Sequence, residues 1–344
     1  MNWKTKALVQ RTLDLLPGPV KRVLYGGVQQ TMGKLRNYHP KDKVKQGIRI
    51  LEPFDRAKQS VAGMDAVEIG TGWAPTVPLL LWLNGLRTCH TYDIADLLIP
   101  RLIRAASSKL VEFCQHPERI GLKSGIPFER ERLEALRSLN DRGAQGNEIL
   151  SSCNIIPHAP ADPSATPHPD NSVDLVFSNV VLQHLREDEL RRVFAESFRI
   201  LKPGGWMIHH IDTTDMFSHF DKSISSVDYL QYSEQDFAKY NTSFCYQNRL
   251  RAPQFRDLMT DSRFEMAGWD SRIDEVALRR LPSLRIHADF ARFSPEELCS
   301  VGVRAVARKP WVASLILSAQ LRIHAWSQEC LSLGELVEQA HLCA

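Results

Sequence analysis

No apolar run in this chain approaches the roughly 20 residues needed to cross a bilayer; the longest, near 77–83, is a third of that. Residues 1–16 also lack the apolar core of a secretory leader, since Arg11, Asp14 and Pro17 interrupt it. The seven cysteines (89, 114, 153, 245, 299, 330 and 343) form no Cys-x-x-Cys pair. Neither a zinc ribbon nor a disulfide framework follows from them, and a reducing, cytoplasmic setting is the expectation. No metal site is expected. Charge of one sign is missing too: the net is only +3 over 344 residues, which gives no polyanion-binding signal overall. What charge there is lies unevenly. Residues 1–45 hold ten Lys/Arg against Asp14 and Asp42, leaving a mildly acidic remainder.

The most informative stretch is Val67-Glu68-Ile69-Gly70-Thr71-Gly72-Trp73. It reads as a buried strand breaking into a glycine turn, and Asp93 follows Gly72 by 21 positions after a second short strand at 87–92. Such a turn lets backbone approach a ligand, and a carboxylate at that distance suits ribose hydroxyls. A dinucleotide site wants a third glycine so that a helix N-terminus can meet the pyrophosphate. Pro75 stands there instead, within Trp73-Ala74-Pro75-Thr76-Val77-Pro78.

With Glu68 two places before the first glycine, the run Glu-x-Gly-x-Gly resembles the first motif of class I S-adenosylmethionine (SAM) methyltransferases. Further along, Ser172-Val173-Asp174-Leu175-Val176-Phe177-Ser178-Asn179-Val180-Val181-Leu182-Gln183-His184-Leu185 resembles that family's fourth strand and its exit. Arg199-Ile200-Leu201-Lys202-Pro203-Gly204-Gly205-Trp206-Met207-Ile208-His209 resembles the helix, turn and fifth strand that follow. Pro203 cannot continue a helix ending at Leu201, and the glycines supply left-handed backbone for the turn into the strand. The resemblance implies an α/β, Rossmann-like fold: a seven-stranded, mostly parallel sheet with helices on both faces, an N-terminal helical arm, and a cap inserted after strand five.

The chain alternates accordingly. Strands are expected at Asp65–Ile69, 87–92, 152–156, 173–177, 206–211, 264–270 and 302–308. Helices are expected at 79–84, 97–113, 128–140, 187–201 and 253–260, with a capped helix from Ser294. Ligands of such sheets bind at the carboxyl ends of the strands. Residues 1–45 form a basic arm, 46–310 the methyltransferase domain with a cap at 212–250 rich in aromatics, and 311–344 an extension. Within the arm, Val20, Val23, Leu24, Val28, Met32 and Leu35 fall on one helical stripe. That stripe either packs on the catalytic domain or lies on a membrane surface or partner.

By the resemblance, Gly70, Thr71 and Gly72 line the methionine part of SAM, and Asp93 holds the ribose with Ile94 against the adenine. Ala161 and Asp162 match the loop that meets the adenine amino group, while Asn179 and Val180 sit beside the sulfonium. Glu68 orients the glycine turn, and His184 packs structurally or touches SAM. A subgroup with methyltransferase type 11 domains, often associated with bacterial polysaccharide or secondary-metabolite assembly, resembles the chain more closely. The matching residues include His209-x-Ile211-Asp212-x-x-Asp215, Phe217-Ser218-His219-Phe220-Asp221-Lys222-Ser223-Ile224 and Asn248-Arg249-Leu250-Arg251. Two departures are Met216, where the pattern has histidine, and Gln183, where it has glutamate.

Methyl transfer from SAM is an in-line displacement; a hydroxyl acceptor needs a base beside its proton. The candidate bases are His209, Asp212, Asp215 and His219. Arg249 and Arg251 either grip an anionic substrate or pair with Asp residues in the cap. The expected reaction is methylation, first at oxygen, of a small molecule or glycan. N-methylation of protein or nucleic acid usually shows Asn/Asp-Pro-Pro-aromatic after strand four, and Asn179-Val180-Val181-Leu182 departs from that. No nucleic-acid partner is expected. A SAM-fold module that binds without turnover is the third reading.

Overall fold

The computed structural model describes residues 2–16, 35, 38–122, 126–242 and 246–311. The arm's stripe therefore lies outside the described residues, except Leu35, which is buried. The extension beyond Trp311 lies outside them too.

Seven strands form one sheet in the order β3-β2-β1-β4-β5-β7-β6. They are β1 (Asp65–Ile69), β2 (Thr88–Tyr92), β3 (Ile155–His158), β4 (Val173–Asn179), β5 (Leu201–Ile211), β6 (Glu265–Ile273) and β7 (Ser300–Arg308). The first five run parallel, and β7 enters antiparallel between β5 and β6. This α/β sheet, mostly parallel with helices on both faces, is the Rossmann-like arrangement the resemblance implied. The order reverses between β1 and β4, so the crevice a ligand would use opens there.

The central strands are buried on both faces, as parallel strands under helices are. One face carries Ala66, Cys89, Leu175, Phe177, Trp206 and Ile208 against the helices α2 (Lys41–Arg56), α3 (Thr76–Leu83), α4 (Pro100–Gln115), α5 (Arg130–Asp141) and α6 (Gly146–Ser152). The other carries Val67, Ile69, Val176, Met207 and Ile211 against α7 (Glu187–Ile200) and α9 (Ala252–Asp261). All eight residues of α3 are buried, which explains why it shows no polar stripe.

Local differences have simple causes. Helix α7 stops at Ile200, and Leu201 already pairs with Val173. The chain then bulges through Lys202-Pro203-Gly204-Gly205 and rejoins the ladder with Trp206 opposite Leu175. The expected turn is a bulge inside β5. Strand β3 lies three residues later than expected because the short helix α6, with no capping residue to announce it, occupies the ground before it. Helix α2 runs unbroken across position 45.

Residues 212–250 contain short 3-10 turns and one helical turn, α8 (Glu234–Phe237). Phe217, Val227, Tyr229, Leu230 and Phe237 make a separate core there, shared with Leu281, Phe290 and Leu298. Helix α1 (Trp3–Asp14) docks on this core through Trp3 and Ala7. The Trp3 ring lies 5.1 Å from Phe217 and 4.8 Å from Tyr240, and its backbone N–H donates to Asp221 at 3.0 Å.

Candidate functional site

At the end of β1 the chain turns at Gly70 and Gly72, both left-handed (φ +78° and +67°). A Cβ on Gly70 would lie 2.3 Å from a methyl of Val181, whereas a Cβ on Gly72 would meet nothing within 4 Å. The open side of the turn is thus at Gly72. Its N–H donates to Asp93 Oδ2 at 3.0 Å, and the other carboxylate oxygen of Asp93 accepts from Ala95 N–H at 3.1 Å. Burial raises the Asp93 pKa, and those two backbone donors oppose it. The main chain of Asp93 also ties in the loop after β3: its carbonyl accepts from Ala161 N–H at 2.8 Å.

A cleft of about 540 Å³ lies alongside, lined by Ile94, Ala161, Asp162, His184, Arg186 and Tyr246 among others. Four of the expected cofactor residues thus share one cavity. Ile94 is 70% exposed, an apolar face presented to that cavity. Asp162 closes a local turn by accepting from Ser164 N–H at 2.8 Å. His184 bonds the Tyr246 carbonyl through Nδ1 at 2.7 Å, and burial lowers its pKa. Its neighbour Gln183 spends its Oε1 on the Asp212 N–H at 3.4 Å, so here it ties the β4 exit to the β5 exit.

Beneath the turn, Glu68 is almost fully buried and its Oε2 has no partner. The buried Thr71 Oγ1 is likewise unpaired. Burial pushes the Glu68 carboxyl up; Lys43 from α2 opposes that shift, and Asp93 adds to it. Lys43 donates to the Asn179 carbonyl at 3.2 Å, with its own pKa lowered by burial. Unpaired buried polar atoms beneath an open glycine are what an amino-acid-bearing, nucleoside-bearing ligand such as SAM would satisfy.

At the tip of β4 stands Val180 with φ +61°, a conformation a β-branched residue adopts only under strain of about 1–3 kcal/mol. Its N–H donates to His210 O at 2.8 Å. It lines a second cleft of about 570 Å³, together with Gln46, Arg49, His210, Asp212, Arg272 and Arg304 among others. His210 faces this cleft. Its Nδ1 bonds Asn179 Oδ1 at 2.8 Å, and its Nε2 has no partner. Burial pushes its pKa down to about 4, helped by Arg49, Arg304 and Lys43.

The expected bases divide. His209 is fully buried, bonded through Nδ1 to Ser178 Oγ at 2.7 Å and packed near Phe194; its pKa falls to about 3 through burial. It points away from both clefts, because neighbouring strand residues alternate faces. The cleft-facing histidine is His210, which the sequence reading passed over. Asp215 also turns inward. Its oxygens accept from Phe217 N–H (2.9 Å) and Tyr229 N–H (3.0 Å), and burial pushes its pKa up to about 7. It organises the cap. Asp212 does line the second cleft, with His219 Nε2 at 3.8 Å. Burial raises the Asp212 pKa, but His219 and Thr214 more than offset that and bring it below the usual range.

Arg249 and Arg251 are buried cap ties, not substrate grips. Arg249 donates to the carbonyls of Tyr229 and Tyr232 and pairs with Glu234 at 2.6 Å. Arg251 donates to Leu298 O, Thr213 O and the Tyr229 hydroxyl. Their partners are carbonyls, the Tyr229 hydroxyl and one glutamate, so the alternative of pairing with aspartates in the cap holds for neither.

Comparison with known proteins agrees with this geometry. Residues 133–209, from α5 to β5, match the family described as methyltransferase domain (Methyltransf_11). No curated protein matches the chain. A SAM-dependent methyltransferase from Methanosarcina mazei is similar at 17% identity, over 72% of this chain and 93% of that one, with a TM-score of 0.39. One from Mesorhizobium loti is 13% identical, over 74% and 94%, with a TM-score of 0.40. Geranyl diphosphate C-methyltransferase from Streptomyces coelicolor is 11% identical, over 78% and 79%, with a TM-score of 0.41. The matched domain, on this sheet, makes the chain a methyl-transferring enzyme of the class I type, and its cofactor is SAM.

Proposed function

We propose that the chain transfers the SAM methyl group to an oxygen of a small-molecule or glycan acceptor seated in the second cleft. The observation that carries this is His210: a buried imidazole with an unpaired Nε2, on a residue that lines a cavity meeting the strained tip of β4. When bound, SAM supplies a methyl group on a positively charged sulfur, already activated for displacement. The cofactor-side residues are those of the first cleft and the glycine turn: Gly70, Thr71, Gly72, Asp93, Ile94, Ala161, Asp162 and His184, with Glu68 beneath. With Asn179 Oδ1 accepting, the His210 proton sits on Nδ1 and Nε2 offers its lone pair. Burial, and after it the cations around it, keep the ring neutral at physiological pH, which leaves Nε2 unprotonated to take the hydroxyl proton as the oxygen attacks. Asp212 and His219 form a second pair at the same rim.

Calorimetric titration with S-adenosylhomocysteine tests the cofactor half. The native chain binds, and Asp93→Ala weakens binding at least tenfold, about 1.4 kcal/mol. Unchanged affinity in that variant rejects the assignment of Asp93. For the acceptor half, cell extract is screened for a compound that gains one methylene mass; His210→Asn abolishes the gain while leaving homocysteine-adduct binding intact. Product formed at the native rate by His210→Asn rejects the base.

The N-terminal segment supports one further reading, peripheral contact with an anionic membrane. Helix α1 leaves Leu8, Val9 and Leu15 exposed (66%, 51% and 84%) beside Lys4 and Arg11. Among the described residues no helix is long and apolar enough to cross a membrane. Co-sedimentation with phosphatidylserine vesicles should fall when Leu8 and Leu15 are replaced by serine, and equal sedimentation rules the contact out.

A further inference from the structure

We propose that the methyl acceptor carries an oxyanion, a carboxylate or a phosphate, held by Arg49 and Arg272 across the second cleft. This rests on the reading of that cleft as the acceptor site and names its substrate class.

Three carboxylates and three arginines line the cavity, but the carboxylates are already engaged. Glu52 and Asp270 both pair with Arg304, Asp270 at 3.4 Å. Asp212 accepts from Thr214 N–H at 2.9 Å and stands beside His219. Among the described residues neither Arg49 nor Arg272 has a carboxylate within ion-pair distance. Arg49 lines the cleft from α2. Arg272 lines it from β6, where its register partner on β7 is Gly302. A Cβ at Gly302 would lie 3.6 Å from Arg272 Nε and 3.8 Å from Nη2, so the guanidinium lies across the bare glycine, which itself lines the cleft.

The same cleft is lined by His210, 7% exposed, whose Nε2 is unpaired and which feels the Arg49 charge. The site thus offers an anion two unpaired guanidinium forks and offers a hydroxyl one proton acceptor. Guanidinium forks match planar carboxylate and phosphate oxygens and fix orientation as well as position. A hydroxyl on the anion-bearing fragment is then aligned with Nε2. In the step that follows, the C–S bond breaks with its electron pair passing to sulfur, the O–C bond forms, and the hydroxyl proton goes to His210.

Inorganic phosphate and malonate are the probes, titrated by calorimetry with and without S-adenosylhomocysteine. At least one anion should bind the native chain, and the double variant Arg49→Gln, Arg272→Gln should bind it at least tenfold more weakly. Both positions are exposed, so melting temperature and adduct affinity should stay at native values. Preference for phosphate assigns a phosphorylated acceptor, and preference for malonate a carboxylic one. Absence of binding by both anions into the tens of millimolar, or equal binding by the double variant, overturns the proposal. A native chain that binds the adduct but neither anion defeats this inference alone. One that binds no adduct defeats the cofactor reading instead.

Discussion

Gly70 and Gly72 share a backbone conformation but not an environment, so equal substitutions should fail differently. Alanine at either position costs on the order of 1–2 kcal/mol for a left-handed residue with a Cβ. At Gly70 the new methyl also collides with Val181, and relieving that overlap displaces the β4 exit for a further 1–3 kcal/mol or so. At Gly72 it projects into open space where the cofactor belongs. Gly70→Ala should therefore lower the melting temperature sharply. Gly72→Ala should lower it by the backbone cost alone and weaken S-adenosylhomocysteine binding at least tenfold. Melting curves and titrations on the pair check this, and equal melting losses would mean the turn is placed wrongly. Val180 belongs to the same scale. Its strain is maintained because β4 and β5 pair up to Asn179–His210 and its own N–H is bonded to His210 O.

At the scale of elements, β1, β4, α7 and the glycine turn were legible because each carries a local signal: an apolar run, a motif, a helix-start charge pattern. What failed did so for physical reasons. The phase of β5 could not be read, since both of its faces are buried and no apolar–polar alternation marks them. The bulge through Lys202–Gly205 removes the remaining cue. A one-residue error then exchanges His209 for His210 and moves the proton acceptor from the core to the cleft. Arg249 and Arg251 looked like anion grips because sequence shows charge and not burial; the cap's loops expose carbonyls that needed donors. The part played by α2 was invisible as well. Nothing local says that Lys43 of this helix reaches the β4 exit and Arg49 the second cleft, because that is decided by how α2 packs on α3. That Asp93, Ile94, Ala161 and Asp162 follow strand ends was readable from their spacing, and three of them, Ile94, Ala161 and Asp162, line the first cleft.

Six of the described histidines are held neutral by burial, and this sets the molecule's response to acid. His209 is depressed to about 3, His210 and His90 to about 4, and His158, His168 and His184 lie below the ordinary 6.5, each first of all because of burial. His90 and His158 share one hydrogen bond at 2.9 Å, and Tyr92 joins His168 at 3.1 Å, so protonation there sets cation against cation. Below pH 6.5 the unfolded chain takes up protons that the folded chain refuses until about pH 4. Stability is therefore complete above 6.5 and is lost as pH falls. For the buried His210 alone the difference is on the order of 3 kcal/mol. Asp215, at about 7, and Glu68 work in the opposite sense: their contribution is present at low pH and is lost as pH rises through the folded value. Six depressed imidazoles outweigh three raised carboxyls, Asp93 being the third, so the melting temperature should peak near neutrality and fall steeply between pH 6.5 and 4.5. His209→Gln keeps a partner for Ser178 and should reduce the slope of stability with pH by up to one proton. Calorimetric melts across that range decide it. A flat acid limb, or a slope unchanged in His209→Gln, would mean these imidazoles are solvated and that the core beside β5 is looser than its packing implies.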